Sequence, residues 1–426
     1  MKKKYLLFLS PFLAVSCSHE PIIPVEEGEH ALNTVNKPLN KQYQGLNDDY
    51  LSSLTDFSVS LQEMIGYKEN NIYSPLSIAT CFSMAYEGTN STTKTELERL
   101  LKYTANKDYK SYIKTMLENT SKEIKNQEES IEGLLDVSQS FFIADRYKER
   151  ILQSYLDTLS DYYYAEAYQG DLESDEMHQL LADWINNKTR DFLEVKKEDF
   201  DGYGGIMWLV NTIYLKAMWL EQFSEYADEQ GDFNNIDKTT TKMNFMTQRT
   251  LAEVLVRDKY DIAVLPLNMG LKFVVLLPHS NDGKIYQNSE AMQDLLSYCK
   301  YKKDYEIYDV SFKVPPFKMK SEFDLRDLFI NAGYTIPFNP YLADFTRMSA
   351  SAKEDMIHIG NARHVAGIEL NHKGIEAAAY TIIEVKDGGS APTVYPTLKF
   401  HMDHPFMYSI LDKSGLPLFV GNVNNL

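Results

Sequence analysis

Cysteine is scarce in this chain, and so is clustered positive charge. The 426 residues include three cysteines, at positions 17, 81 and 299. Three cysteines are too few for a disulfide framework or a four-cysteine metal site, and at most one optional disulfide is available. Lysine and arginine number 43 against 61 aspartates and glutamates, which gives a net charge of −18, and no basic run follows Lys4. Because nucleic acid binding needs clustered cations, we expect no nucleic acid partner.

The common motifs of enzymes are also missing. The sequence has no Gly-x-Ser-x-Gly elbow, no His-Glu-x-x-His pair and no Walker loop. Residues 202–205, Gly-Tyr-Gly-Gly, begin like a dinucleotide fingerprint, but the last glycine of that motif is missing. We interpret His358, His364 and His372 as surface or hydrogen-bonded structural residues. The 29 tyrosines and 21 phenylalanines are more typical of a core than of a glycan site. We therefore predict neither an enzyme nor a cofactor or metal site.

The first seventeen residues have the order of an export signal. Three lysines at positions 2–4 precede an apolar run over residues 6–15, and the small residue Ser16 precedes Cys17. Residues 13–17 resemble the lipobox of bacterial lipoproteins, which implies cleavage after Ser16 and lipidation of Cys17. The alternative is an ordinary cleaved signal with an incidental cysteine.

A polar stretch follows Cys17. Residues 18–44 contain three prolines and show neither the helical period of 3.6 nor the strand period of 2. The predicted organisation is therefore a signal peptide at 1–16, a lipidated Cys17 with a flexible tether at 17–45, and one folded domain at 46–426. Residues 18–20 resemble the acidic sorting signal of surface-displayed lipoproteins. We expect a protein anchored by lipid in the outer membrane, at the cell surface of a Gram-negative bacterium.

The folded part has helical patterns first and strand patterns later. Apolar residues recur at helical spacing over 54–65 and again from Leu180 to Phe192. Strand and hairpin patterns cover 206–219, 261–278 and 306–314. Helices packed on largely antiparallel sheets, rather than a regular βαβ alternation, predict an α+β fold.

The segment 370–406 combines features of a strand and of a loop. One side of the alternation that starts at Gly374 is mostly apolar and consists of Ile375, Ala377, Ala379, Thr381, Ile383 and Val385. Proline is absent from 374 to 391, so nothing forbids a central strand. The alanine run and the flexible residues 386–391 are nevertheless unusual for a strand whose only role is stability.

Five motifs in this chain resemble those of the serpin family, in the family's order. They are residues 71–78 around Ser74 and Pro75, residues 211–219 with the pattern Asn-x-x-x-x-Lys-x-x-Trp, residues 374–379, residues 404–406 and residues 417–421. The resemblance covers about residues 46–426. It implies a fold of three β-sheets and eight or nine helices, with an exposed reactive loop above a central sheet that can accept the loop as a new strand.

The resemblance also assigns roles to residues outside the scissile region. The hinge of the reactive loop corresponds to Gly374, Ile375, Glu376, Ala377, Ala378 and Ala379. The shutter cluster beneath the central sheet corresponds to Ser74, Ser77, Asn211 and His364, and the breach tryptophan to Trp219. Two positions depart from the family pattern. His372, followed by Lys373, stands where inhibitors usually carry Glu, and this change weakens the expected anchoring of the hinge. Ile375 stands where Thr or Ser is usual.

The function implied by the resemblance is suicide inhibition of serine, and secondarily cysteine, endopeptidases by a monomer. The family's count from the hinge glycine puts the reactive bond between Gly388 and Gly389, which suits elastase-like, subtilisin-like or papain-like proteases. Lys386 and Asp387 are the trypsin-directed alternative. Two other functions stay open: a non-inhibitory serpin-like protein, and a surface glycan-binding lipoprotein.

Overall fold

The computed structural model describes residues 45–120, 122–281, 284–375 and 394–426. Within these ranges the chain forms nine α-helices joined by strands and short 3-10 turns. The helices are α1 (Asp48–Ile65), α2 (Pro75–Glu87), α3 (Ser91–Leu101), α4 (Tyr109–Thr120), α5 (Gln153–Tyr163), α6 (Asp175–Lys188), α7 (Ser289–Leu296), α8 (Tyr298–Tyr301) and α9 (Leu325–Asn331).

Helix α1 shows how the sequence sets a helix's ends. The side chain of Asn47 accepts hydrogen bonds from two backbone N–H groups of the first turn, at 2.9 and 3.3 Å, which would otherwise lack partners. Gly66 ends the helix with a φ of +82°, a left-handed value that glycine adopts without a Cβ clash. The predicted face, including Leu54, Phe57 and Leu61, is buried in the core.

Helix α6 is shorter than the apolar spacing predicted. It ends at Lys188, so Phe192 lies in the connection to the next strand and not on the helix. The physical reason is the backbone of Arg190 and Asp191, whose φ values of +52° and +59° cannot continue a right-handed helix.

The described strands number sixteen, and the predicted strand segments are among them. They are β1 (Asn71–Tyr73), β2 (Lys122–Lys125), β3 (Ile131–Ala144), β4 (Glu166–Gly170), β5 (Met207–Met218), β6 (Glu229–Asn234), β7 (Thr240–Val256), β8 (Tyr260–Pro266), β9 (Lys272–Pro278), β10 (Glu306–Val314), β11 (Phe317–Asp324), β12 (Arg363–Asn371), β13 (Gly374–Ile375), β14 (Thr397–His401), β15 (Phe406–Leu411) and β16 (Pro417–Val423).

Seven of these strands form the central sheet. Their order is β11, β12, β13, β5, β3 and β2, with β4 paired to β3. β5 is antiparallel to β3, and β12 is antiparallel to β11. The two-residue β13 is antiparallel to both β12 and β5, so β12 and β5 run parallel to each other on either side of it.

The other nine strands form one hydrogen-bonded network, in the order β1, β16, β15, β9, β8, β7, β10 and β14, with β6 paired to β7. β7 changes partners along its length: residues 240–245 pair with β6, residues 246–254 with β10, and residues 253–256 with β8. β7 therefore joins the parts of this network, and the described strands form two hydrogen-bonded sheets, of nine and seven strands.

Two hydrophobic clusters lie on opposite faces of the central sheet. Leu215 and Ala217 of β5 belong to the main core, which also contains α1 and α2. Trp208 and Val210, of the opposite parity, belong to a smaller cluster under α6. In the part of the chain that the structure describes, no helix has the length and apolar character needed to cross a membrane.

Candidate functional site

The predicted breach residue Trp219 holds the turn between β12 and β13. Its indole N–H donates to the Asn371 carbonyl at 2.9 Å, and its backbone N–H donates to the Lys373 carbonyl at 3.0 Å. The buried indole ring packs edge-on against Phe223 and Phe273, with centroid distances of 5.7 and 5.6 Å. Trp219 therefore fixes the point at which the chain enters β13.

His372 has a partner that the sequence did not reveal. Its Nε2 lies 2.7 Å from Asp228 Oδ1, and its carbonyl accepts a hydrogen bond from Phe223 N at 3.1 Å. The turn before the predicted hinge is thus anchored here by Asp228 instead of through a glutamate at position 372. No local pattern could have found this pair, because 144 residues separate its two members.

Gly374 and Ile375, the first two predicted hinge residues, form β13. Gly374 has a φ of +145°, and a Cβ there would lie 2.2 Å from the Ala217 carbonyl oxygen, so only glycine fits. Ile375 is 3% exposed and pairs with Ala217 and Leu370 in the main core. The predicted inward face of the alternating segment is therefore correct at its first position, and the side chain of Ile375 is accommodated.

Below β13, β5 and β12 present their edges to each other. The opposite edge of β5 is paired with β3 and that of β12 with β11. Among the described residues, only β13 bridges the two facing edges, at Gly374 and Ile375. The N–H and C=O groups of such edges are a template for another strand. We call this region the slot. One side of it is formed by residues 206–215, which belong to β5 and the residue before it. The other side is formed by residues 362–369, which belong to β12 and the residue before it.

A cavity of about 880 Å³ follows the slot through the sheet. On the inner side it is lined by α2, including Ser77 and Cys81, and on the outer side by α6, including Leu181 and Ile185. A further strand in the slot would point its side chains alternately towards the two faces of the sheet. The cavity provides space for them on both faces.

Three predicted shutter residues are joined at the inner side of the slot. Ser74 caps α2 by accepting a hydrogen bond from Ser77 N at 3.1 Å. The Ser74 backbone N–H donates to His364 Nε2 at 3.0 Å. The structure thus brings Ser74, Ser77 and His364 together across 290 residues of sequence.

The fourth predicted shutter residue, Asn211, lines the same cavity from β5. It lies opposite Gln139 of β3 in the sheet. Both side-chain atoms of Asn211 are buried and have no hydrogen-bond partner in the described part of the chain. A buried amide without partners costs free energy, so this position favours any group that can both donate and accept hydrogen bonds.

Burial lowers the pKa of His364 from its ordinary value near 6.5 to about 3. The geometry adds to this effect, because Nε2 accepts the Ser74 N–H and cannot also carry a proton. His364 is therefore a neutral structural residue, as its sequence context indicated, and is unsuited to acid–base catalysis at neutral pH.

Several predicted site residues lie outside the described residues, so their roles stay predictions. These are Cys17, Glu376, Ala377, Ala378, Ala379, Lys386, Asp387, Gly388 and Gly389. Cys81 is a free thiol, and burial raises its pKa to about 12. Within the described ranges, no group of three or more His, Cys, Asp or Glu residues is arranged to hold a metal ion.

Comparison with known proteins identifies the architecture. The family model described as Serpin (serine protease inhibitor) matches residues 52–426. Serpin B10 of Sorex araneus is 25% identical over 399 residues, covering 88% of this chain and 98% of the relative. An uncharacterized serpin-like protein of Methanosarcina acetivorans is 24% identical over 431 residues, covering 99% and 98%. The crystal structure of tengpin, a thermophilic serpin in its native state, has a TM-score of 0.73 at 21% identity, covering 90% of this chain and 96% of tengpin.

Since the family match extends over most of the chain, this protein belongs to the serpin family. The α+β fold and the family predicted from the sequence are confirmed. Serpins in general inhibit proteases and are not themselves catalysts, and a protease is the kind of partner they target.

Proposed function

We propose that this serpin is a suicide inhibitor of endopeptidases, primarily serine and secondarily cysteine proteases. A protease cuts the loop that follows β13, and the cut loop enters the slot while the acyl-enzyme is still attached. The observation that carries the proposal is β13 itself, in which two hinge residues already pair with both β5 and β12. The remaining edges of the slot supply backbone donors and acceptors for the rest of the strand.

The register of β13 supports the proposal further. Ile375 is paired with Leu370 and Ala217, so each step along a continued antiparallel strand moves one residue back along both neighbours. By this count Thr381 would come opposite His364 and Asn211. A threonine hydroxyl both donates and accepts hydrogen bonds, which is what the unpartnered Asn211 amide requires. The one polar residue of the apolar face would thus meet the unpartnered side-chain amide of Asn211.

We propose that the reactive bond lies between Gly388 and Gly389, and this bond determines which proteases are targets. A Gly-Gly bond suits elastase-like, subtilisin-like or papain-like enzymes, and Lys386 followed by Asp387 would give trypsin-like enzymes a secondary site. We also propose that lipidated Cys17 anchors the protein to the outer membrane, facing the cell surface.

The test is incubation of the protein with elastase, subtilisin, papain and trypsin. A complex that survives denaturing electrophoresis is the expected result, together with a released C-terminal peptide that begins at Gly389. A peptide that begins at Asp387 would move the reactive bond to Lys386. Complete cleavage without any complex would contradict inhibition and favour the non-inhibitory alternative.

A matched pair of variants at Thr381 separates trapping from cutting. Ile375 is already buried in the intact protein, whereas Thr381 would enter the slot only on insertion. Thr381→Arg would then place an unpaired charge opposite His364 and Asn211, whereas Thr381→Ser keeps a hydroxyl there. We expect Thr381→Arg to be cut at the wild-type rate with complex yield reduced at least about tenfold, since burying a charge costs several kcal/mol. Thr381→Ser should keep most of the yield, and equal yields for the two variants would exclude insertion at this position.

A further inference from the structure

The connection between α6 and β5 crosses the outer side of the slot. We call residues 189–205 the strap. Its residues Phe192, Leu193, Phe200 and Tyr203 line the outer part of the cavity, opposite the α2 side. Any strand that enters the slot must fit its outward side chains between the sheet and the strap.

The first half of the strap is tied to α6. The side-chain amide of Asn186 forms two hydrogen bonds with the backbone of Val195, a donation at 2.7 Å and an acceptance at 2.8 Å. Arg190, Asp191 and Glu194 all have left-handed φ values of 48–59°, which residues other than glycine adopt only when contacts hold them.

The second half of the strap is tied to β12 by Arg363. The guanidinium donates from Nη1 to the Asp199 carbonyl at 2.8 Å, and its Nε lies 2.7 Å from Glu322 Oε1 on β11. One side chain thus connects the strap to the two strands that form one wall of the slot. Lys320 of β11 adds a hydrogen bond to the Leu193 carbonyl.

A second contact of the strap depends on the absence of a side chain. A Cβ at Gly367 of β12 would lie 2.9 Å from the Phe192 ring, closer than carbon atoms normally approach. The glycine therefore lets Phe192 lie directly against the wall of the slot.

We propose that Arg363 is a latch that sets the rate of strand uptake by the slot, an inference that rests on the function proposed above. In the register of β13, the bulky outward residue Ile382 would come opposite Arg363 itself. The strap must therefore lift at Arg363 for this part of a strand to enter, and the bond to the Asp199 carbonyl must break first.

The test compares variants that break different arms of the latch. Arg363→Met removes the donor but keeps an apolar stem, whereas Glu322→Gln removes the β11 arm and leaves the strap bond intact. Arg326→Met, which removes a partly exposed arginine from the first turn of α9, is the matched charge control. Gly367→Ala is an independent variant, since its methyl group would push Phe192 and the strap away from β12.

Strand uptake is measured with an acetylated, amidated peptide of residues 376–385 and with protease-cut protein. Stopped-flow tryptophan fluorescence is a suitable signal, because the Trp208 indole donates to the strap carbonyl of Gly204 at 2.9 Å and Trp208 lines the cavity. We expect Arg363→Met and Gly367→Ala to take up the peptide about 3- to 10-fold faster than the wild type, the factor for one hydrogen bond from a charged, partly exposed donor. Glu322→Gln and Arg326→Met should match the wild type.

The outcomes separate this inference from the proposed function. Equal uptake rates for Arg363→Met and the wild type would overturn the latch, as would equal acceleration by Glu322→Gln. Failure of every variant to take up the peptide would also overturn it. Faster uptake by Arg363→Met without any protease complex in the wild type would support the latch and contradict inhibition.

Discussion

A single histidine makes the stability of this protein depend on pH. His364 has a folded pKa of about 3, below the value near 6.5 that it has when exposed. Between these two values the unfolded chain binds one more proton than the folded chain, so stability falls as the pH falls through this window. The contribution of His364 is about 1.4 kcal/mol for each pH unit.

We predict that His364→Gln removes this contribution. Urea unfolding at pH 7, 6, 5 and 4 should show the difference in stability between wild type and variant shrinking on acidification, by about 0.7 kcal/mol from pH 7 to 6 and by about 1.4 kcal/mol for each unit from pH 6 to 4. The exposed His358, changed to Gln, is the control and should leave the wild-type slope unchanged. Parallel pH dependences for wild type and His364→Gln would contradict the assignment.

At the scale of elements, the half-buried carboxylate of Glu166 attaches α6 to the central sheet. Glu166 of β4 lies 2.7 Å from Lys188 Nζ and accepts hydrogen bonds from Trp184 Nε1 at 2.7 Å and the Tyr168 hydroxyl at 2.8 Å. The Lys188 side chain is only 8% exposed. Removing the carboxylate charge therefore leaves a buried cation without its partner.

We predict that Glu166→Gln destabilises the attachment of α6 by about 3 kcal/mol, the lower end of the cost of breaking a buried ion pair. Amide hydrogen exchange should accelerate in α6 more than in α2, because α6 packs in a separate hydrophobic cluster. Asp175→Asn removes a solvent-exposed pair with Lys197 at the start of the same helix and should leave the exchange unchanged. Equal acceleration in α6 and α2 would show that the two elements unfold together.

Elements with strong local signals were predictable from the sequence, and elements that depend on distant partners were not. β10 was predicted with its observed bounds, and the turn at 268–270 joins β8 and β9 as expected. The predicted end of α6 was wrong, because the apolar spacing continues to Phe192 although the backbone leaves the helix after Lys188. The pairing of His372 with Asp228 depends on how the central sheet meets the segment before β6, and no local spacing records that.

Within the candidate site the same distinction holds. The alternation from Gly374 predicted which side chains of the segment point inward, and the burial of Ile375 agrees with this prediction. The resemblance selected Asn211 and His364, but the lack of partners for the Asn211 amide follows only from the positions of β3, β5 and β12. The strap could not be foreseen either, since its contacts with Arg363 and Gly367 join segments more than 160 residues apart.

For the whole molecule, the proposed mechanism predicts that a cut loop stabilises the protein. Cleavage between residues 376 and 393 should let the segment pair with both edges of the slot and satisfy the Asn211 amide. Calorimetry should show a higher Tm for the cut protein than for the intact one. Cleavage within the tether, at 17–45, is the control and should not change the Tm. An unchanged or lower Tm after loop cleavage would argue against insertion.

The predicted attachment to a membrane is also a property of the whole molecule. Cys17→Ala removes the lipidation site without touching the folded domain, so the protein should move from the membrane fraction to the soluble fraction of its cells. Cys81→Ala is the matched control, because the Cys81 thiol is buried beside the slot, where its Sγ donates to the Leu209 carbonyl. Membrane association that survives Cys17→Ala would exclude the lipid anchor.

The length of β5 has a mechanical consequence under the proposed mechanism. The strand has 12 residues, from Met218 beside the breach to Met207, which pairs with Ile143 near the end of β3. A strand inserted along all of β5 would extend about 36 Å at about 3.3 Å per residue. A protease domain of about 230 residues has a radius of gyration of about 17 Å, so its point of attachment would travel about twice that distance. The number of residues in β5 therefore sets how far a captured protease is moved across the inhibitor, whatever side chains the loop carries.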